Sequence, residues 1–198
     1  MGGKALFGVA AIVVLALSGQ TPTCQLPREL RPAIENLKFT EGAPGAAPQG
    51  WFLGPYWWNR QIVPAHEALI APGQLCNGSL QCATIHSLSA NARSCFLYQV
   101  IDATQYRGKK LTYRADVRAD VAQGSVARLL VRVHRTDCST SFRDDMGNHP
   151  ITGGAWSPYE IQAPIALDAQ DIEFGMQLIG KGAAWIDNIS MTFVDEAR

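Results

Sequence analysis

The chain has 198 residues, of which 47% are hydrophobic and 17% are charged, and its 17 basic side chains balance its 17 acidic ones. This apolar content excludes a disordered chain, since enough surface can be buried to form a core. A net charge of zero argues against nucleic acid as a partner, because binding to phosphate requires a cationic surface.

The first 18 residues have the pattern of a secretory signal peptide. Lys4 precedes an apolar stretch over residues 5–17, and Ala16 and Ser18 supply the small residues of a cleavage site. The stretch is shorter than the roughly 20 residues that cross a bilayer, so we predict no membrane span. We expect a secreted or periplasmic protein with an N-terminal extension over 19–33 and one folded domain over 34–198.

Strands dominate the predicted elements of this domain. The turn-rich residues 41–50 come first, and most later segments alternate between apolar and polar residues. The strand-like segments are, in chain order, 82–87, 95–101, 111–117, 128–134, 159–162, 174–179 and 185–193. Period-two alternation with glycine and proline between the runs predicts one all-β domain, an antiparallel β-sandwich or barrel.

The cysteines of an exported chain indicate disulfide bonds, and their odd number leaves at least one free thiol. They are Cys24, Cys76, Cys82, Cys95 and Cys138. A hairpin between the segments that begin at Cys82 and Cys95 would place these two side by side, and we predict that bond. A bond from Cys76 to Cys82 around the turn-forming Asn77-Gly78 is an equally supported alternative. The remaining thiol would allow a bridge to another molecule.

Several motifs resemble those of galactose-binding-like jelly rolls, the fold of many secreted carbohydrate-binding modules. The opening Asn36-Leu-Lys-Phe39-Thr-Glu-Gly42, followed by Pro48-Gln-Gly-Trp51, is similar to the first strand region of such domains. Residues 97–118 resemble their middle strands, and Trp156–Glu160 with 175–189 resemble their closing half. The segment 144–152 looks like a loop in related domains of bacterial regulators and hydrolases. The resemblance implies a jelly-roll sandwich, and function has to be argued separately.

The resemblance also implies a structural calcium ion. Such modules often bind it through a carboxylate of the opening strand and an aspartate near the last strand. Asp187 is in place, but the opening carboxylate position holds Thr40, with Glu41 one residue later. A shift of one residue turns a strand side chain to the other face, so Glu41 and Asp187 are an imperfect pair of candidate ligands.

Alternation also predicts a polar face. If Leu129, Val131 and Val133 point into the core, Arg132 and His134 point outward. The same alternation along their strands places Arg114 and Gln177 on an outer face. Planar hydrogen-bonding groups of this kind suit sugar hydroxyls or carboxylates. We therefore predict a groove formed by Arg114, Arg132, His134 and Gln177 that binds a sugar or an anionic glycan, with a merely solvated sheet face as the alternative.

An aromatic cluster supplies a second binding signal. Tyr56-Trp57-Trp58 follows Gly54 and Pro55, and neighbouring strand residues point in opposite directions. At least one of Trp57 and Trp58 is then available as a flat surface on which a sugar ring stacks, while the other packs at the end of the sandwich.

No complete catalytic constellation is present. The chain contains no G-x-S-x-G, H-E-x-x-H or phosphate-binding loop, and the adjacent Asp144 and Asp145 are typical of a turn. Jelly-roll polysaccharide lyases use arginine, histidine and tyrosine side chains for catalysis. In this sequence, however, the alternation of the strand places Tyr113 at a core-facing position. We therefore predict a binding module and not an enzyme. The alternatives are an envelope domain that binds another protein and, after it, a lyase or hydrolase.

Overall fold

Ten strands and two short 3-10 turns account for most of the residues that the computed structural model describes, which are 30–54, 65–89 and 92–195. The turns are Gly73–Leu75 and Thr104–Tyr106. The strands are β1 (Phe52–Gly54), β2 (His66–Pro72), β3 (Gln81–Ser87), β4 (Ser94–Asp102), β5 (Lys109–Val121), β6 (Val126–Arg135), β7 (Thr140–Asp144), β8 (Ser157–Pro164), β9 (Ala169–Ile179) and β10 (Gly182–Asp195).

The strands form two five-stranded antiparallel sheets that face each other. Sheet A has the order β1-β4-β9-β6-β7, and sheet B has the order β2-β3-β10-β5-β8. The predicted all-β antiparallel sandwich is therefore confirmed. Before β1, Arg31 forms a parallel bridge with Ile101, so the chain already lies against sheet A at this point.

The core lies between the sheets and follows the predicted alternation. Leu129, Val131 and Val133 of β6 are fully buried in it, as is Tyr113 of β5. Trp51 packs edge-on against the ring of Phe174, with the two centroids 5.8 Å apart. The side chains at the intervening positions of β6 and β9 consequently point to the outer face of sheet A.

The disulfide prediction needs a correction. Cys76 is bonded to Cys82, whereas Cys95 is a free thiol with only 3% of its surface exposed. The predicted bond from Cys82 to Cys95 fails because β3 and β4 are not hairpin neighbours but belong to different sheets. Cys138 is also disulfide-bonded. The leftover thiol lies in the core, where it cannot reach a second molecule.

Burial should make the Cys95 thiol inert. Desolvation raises its pKa to about 12, although hydrogen bonds from the backbone of Phe96 and Gly54 act in the opposite direction. Because the thiolate is the reactive form, we expect no reaction with Ellman's reagent at pH 8 until denaturant unfolds the protein. Labelling of the native protein within minutes would contradict this placement.

Gly175 sits near the centre of β9, where the neighbouring strand β4 leaves no room for a side chain. A Cβ there would lie 2.1 Å from the carbonyl oxygen of Leu97 and 2.7 Å from the Cα of Tyr98. Because backbone atoms of β4 would have to move, we expect Gly175→Ala to lower the unfolding free energy by about 3 kcal/mol. Urea denaturation measures this effect. Gly153→Ala is the control, since nothing lies within 4 Å of its Cβ position, and equal losses in the two variants would refute the packing argument.

Candidate functional site

Three polar pairs cross the outer face of sheet A. Arg132 of β6 donates to Glu173 of β9 over 3.2 Å, and the Nδ1 of His134 lies 2.8 Å from the Oδ1 of Asp171. Further along β9, Gln177 donates its amide to the hydroxyl of Ser94 on β4 over 2.7 Å. We call these six side chains the polar band. Antiparallel register places Arg132 opposite Glu173 and His134 opposite Asp171, so the strand pairing itself forms both pairs.

The Arg132–Glu173 pair lies well away from solvent. Only 9% of the arginine side chain and 3% of the glutamate side chain are exposed. The guanidinium also lies over the ring of Phe96, 5.5 Å from its centroid. Burial and this contact hold both groups in fixed positions.

The His134–Asp171 pair orients an imidazole. Asp171 is fully buried and accepts from Nδ1, which leaves Nε2 as an acceptor in the neutral ring. The second oxygen of Asp171 has no hydrogen-bond partner among the described residues. The His134 side chain is 12% exposed, more than that of its aspartate partner.

Apolar side chains lie beside the polar band on the same face. Phe96, Tyr98 and Val100 of β4 form a buried cluster with Leu130 of β6, and Phe52 packs against it. Tyr98 and Leu130 lie on either side of Gly175 in the register. Sequence analysis did not assign these residues to the site. The available signal was that β4 is apolar at consecutive positions, which is typical of a central strand covered on both faces.

An ion pair borders the polar band on the side of β7. Arg143 lies opposite Arg132 in the register and donates to Asp145 over 2.7 Å. Burial acts to raise the pKa of Asp145, but the hydrogen bond from Arg143 and the charges of Arg143, Arg128 and Arg132 outweigh it and hold this pKa below its usual value. Arg143 thus has a carboxylate partner on the same face.

The predicted groove is only partly assembled. Arg132, His134 and Gln177 lie on the outer face of sheet A, but Arg114 belongs to β5 in sheet B, where it forms an ion pair with Glu160. Arg114 therefore cannot contribute to the same groove. Trp57 and Trp58 lie outside the described residues.

A second aromatic cluster, on sheet B, was also missed by sequence analysis. The guanidinium of Arg118 lies 4.0 Å from the ring centroid of Trp185 and 5.5 Å from that of Trp156. His86 packs edge-on against Trp185 at 5.9 Å. Because the arginine already covers these ring faces, the cluster offers less free stacking surface than its two tryptophans suggest.

The proposed calcium ligands do not come together as a calcium site. Both oxygens of Asp187 accept hydrogen bonds from backbone amides, those of Asn77 and Asn188. A cleft of about 530 Å³ beside Asp187 is lined by Lys38 and Thr40, and Glu41 is exposed and not among its lining residues. Asp187 is the one carboxylate among the described residues that line this cleft, so the donor set does not fit calcium.

Among the described residues, we find no helix with the length and apolar character needed to cross a membrane.

Comparison with known proteins identifies relatives of this fold. No family model matches the chain. An uncharacterized HTH-type transcriptional regulator of Bacillus subtilis, YbfP, is 32% identical over 102 residues, which are 51% of this chain and 34% of the regulator. The matched part thus spans about a third of that curated relative.

The similar solved structures include carbohydrate-binding modules. A CBM22-1 xylan-binding domain from Paenibacillus barcinonensis superimposes with a TM-score of 0.53 at 12% identity, covering 76% of this chain and 90% of the module. TmCBM61, solved with β-1,4-galactotriose, has a TM-score of 0.52 at 13% identity over 82% of this chain and 98% of its own.

A phage enzyme shares the fold as well. The enzymatically active domain of tailspike protein 4 from bacteriophage CBA120 has a TM-score of 0.57 at 11% identity, covering 74% of this chain and 20% of the tailspike chain. Structural similarity at sequence identities this low establishes the fold alone, and function has to be argued from the residues of the site. The chain has the jelly-roll β-sandwich fold of carbohydrate-binding modules, as its motifs indicated.

Proposed function

We propose that this domain is a secreted or periplasmic, non-catalytic module that binds a glycan along the outer face of sheet A. The observation that carries the proposal is the polar band, in which donors and acceptors are held in fixed positions beside a buried apolar cluster. Sugars present hydroxyls at their edges and C–H groups on their faces, and a site of this composition matches both.

The charges of the face favour a neutral glycan. Glu173 balances Arg132, Asp171 faces His134, and Asp145 balances Arg143. An anionic ligand would have to displace one of these carboxylates, whereas a hydroxyl can use the remaining donors and acceptors without separating a pair. Within the proposal, His134 accepts from the ligand and Arg143 donates to it from the side of β7.

The tryptophan loop remains part of the proposal. Phe96 and Tyr98 are buried, so they support the surface without offering a free ring to a sugar. Trp57 or Trp58, which follow β1 in the chain, would supply the stacking ring. β1 pairs with β4 at the edge of sheet A, and its last residue, Gly54, lies opposite Phe96 in the register.

Export is supported by two independent features. Residues 1–18 have the composition of a signal peptide, and the Cys76–Cys82 bond is of a kind that persists in oxidising compartments.

A pair of arginine variants tests the location of the site. Arg143 is 61% exposed beside the polar band and Arg114 is 64% exposed on the opposite sheet, so replacing either with alanine should leave stability nearly unchanged. After a glycan array has identified a ligand for the oxidised protein, calorimetry should show that Arg143→Ala weakens binding about tenfold. Arg114→Ala should bind like the unmodified protein.

The remaining outcomes distinguish the alternatives. The variants Trp57→Ala and Trp58→Ala test which of the two rings stacks on the sugar. At least one of them should reduce binding. If Arg143→Ala and Arg114→Ala weaken binding equally, the ligand does not bind to the outer face of sheet A. A folded protein that binds nothing on the array would favour an envelope protein as the partner.

An enzyme is the second candidate, and one contact favours it. A buried aspartate that orients a histidine is also the arrangement of a general base. Turnover on a panel of polysaccharides that is abolished by His134→Ala would establish catalysis and overturn the proposed binding role.

A further inference from the structure

The buried carboxylate of Asp187 is already satisfied by the protein. Asp187 is 2% exposed and lies at the start of an irregularity in β10, between Asp187 and Ser190. The backbone N–H of Asn77 donates to its Oδ2 over 2.7 Å, and that of Asn188 donates to its Oδ1, also over 2.7 Å. Each oxygen therefore has a donor at the distance of a strong, charge-assisted hydrogen bond.

The segment that provides one of these donors is closed by a disulfide. The Cys76–Cys82 bond joins residues six apart in the chain, and the enclosed loop continues directly into β3. We call residues 76–82 the disulfide loop. Gly78 in this loop has a φ of +86°, a conformation that glycine adopts without strain. The bond keeps the Asn77 amide close to Asp187 by limiting the conformations open to the loop.

Side chains extend the contact to a third segment. The amides of Asn77 and Asn188 both donate to the Oδ2 of Asp116 on β5, each over 2.8 Å. Asn188 also donates to the backbone oxygen of Asn77 over 3.0 Å and accepts from the hydroxyl of Ser79 over 3.1 Å. The disulfide loop, β5 and β10 are thus joined by hydrogen bonds, with Asp116 and Asp187 as the acidic acceptors.

In this arrangement, the Asp187 oxygens that could bind a cation already accept hydrogen bonds from the backbone. Calcium requires six to eight oxygen ligands, whereas Asp187 is the one carboxylate among the described residues that line the adjacent cleft, and each of its oxygens already accepts an N–H. The Sγ atoms of Cys76 and Cys82 lie with an Asp187 oxygen in a group spanning at most 4.8 Å, but sulfurs bonded to each other are not thiolate ligands. Lys38 is an exposed residue at the edge of the adjacent cleft.

We propose that the disulfide loop does in this domain what a structural calcium ion does in related jelly rolls. It donates a hydrogen bond to the buried Asp187 and ties the irregular part of β10 to the neighbouring chain. The domain is consequently stable without calcium and depends on the Cys76–Cys82 bond for this part of its structure. The inference concerns the end of sheet B and is independent of which glycan the other face binds.

Calcium titration of the unmodified protein is the first test. The midpoint of thermal unfolding should agree within about 1 °C in millimolar calcium and in chelator, since a ligand stabilises only a state to which it binds. A midpoint that rises by several degrees with calcium, together with calorimetric binding that is lost in Asp187→Asn, would overturn the proposal.

Substitutions test the role of the loop. Cys76→Ser combined with Cys82→Ser, and separately Asp187→Asn, should each lower the midpoint by about 5 °C or more, given the usual strength of hydrogen bonds to a buried carboxylate. Asp120→Asn is the control, because Asp120 is an exposed position of β5. The cysteine pair is replaced instead of reduced because a reductant would also act on the bond of Cys138.

Hydrogen exchange decides the case if the variants fail to fold. In the unmodified protein, the amide proton of Asn77 should exchange at least about a hundredfold more slowly than a free loop amide, because opening it exposes an unpaired carboxylate. Exchange at the rate of an open loop, or a double cysteine variant with the midpoint of the parent, would contradict the proposal.

Discussion

The burial of two carboxylates on β9 is the constraint on which the outer face of sheet A depends. Asp171 and Glu173 occupy outward positions of a strand that lies between β4 and β6, so neither is left to solvent. A buried charge is tolerated only when it is paired and hydrogen-bonded. Register brings His134 and Arg132 of β6 to these positions. A shift of one residue between the two strands would separate both pairs and turn core residues outward.

The same strand connects the core with the surface. Phe174, Met176 and Leu178 fill the interior, and Glu173, Gly175 and Gln177 alternate with them on the other side. Gly175 leaves no side chain between Tyr98 and Leu130, and this allows the apolar cluster to close over the strand. The polar and apolar parts of the face are therefore adjacent because they are successive outward positions of one strand.

Alternation predicted the strands and the direction of most side chains, since both depend on local geometry. It correctly placed Arg132, His134 and Gln177 on outer positions and Tyr113 in the core. It could not assign strands to sheets, which is decided by contacts between distant segments, and Arg114 was grouped with the wrong sheet for this reason. The choice between the two disulfides failed in the same way, because a hairpin between β3 and β4 was assumed. The aromatic residues of β4 were missed because a strand with apolar residues on both faces shows no alternation between apolar and polar positions.

The hydrogen bonds around Asp116 have a consequence for producing this protein. Asn77-Gly78-Ser79 and Asn188-Ile189-Ser190 both match the acceptor sequence for N-linked glycosylation. In the folded protein, the amide nitrogens of both asparagines donate to Asp116 from within the contact between the disulfide loop and β10. Both asparagines are exposed, and a sugar attached to either nitrogen would replace one of the two amide hydrogens available for these bonds. An expression host that glycosylates exported chains would therefore weaken the contact between the disulfide loop and β10, whereas a host without this modification leaves it intact.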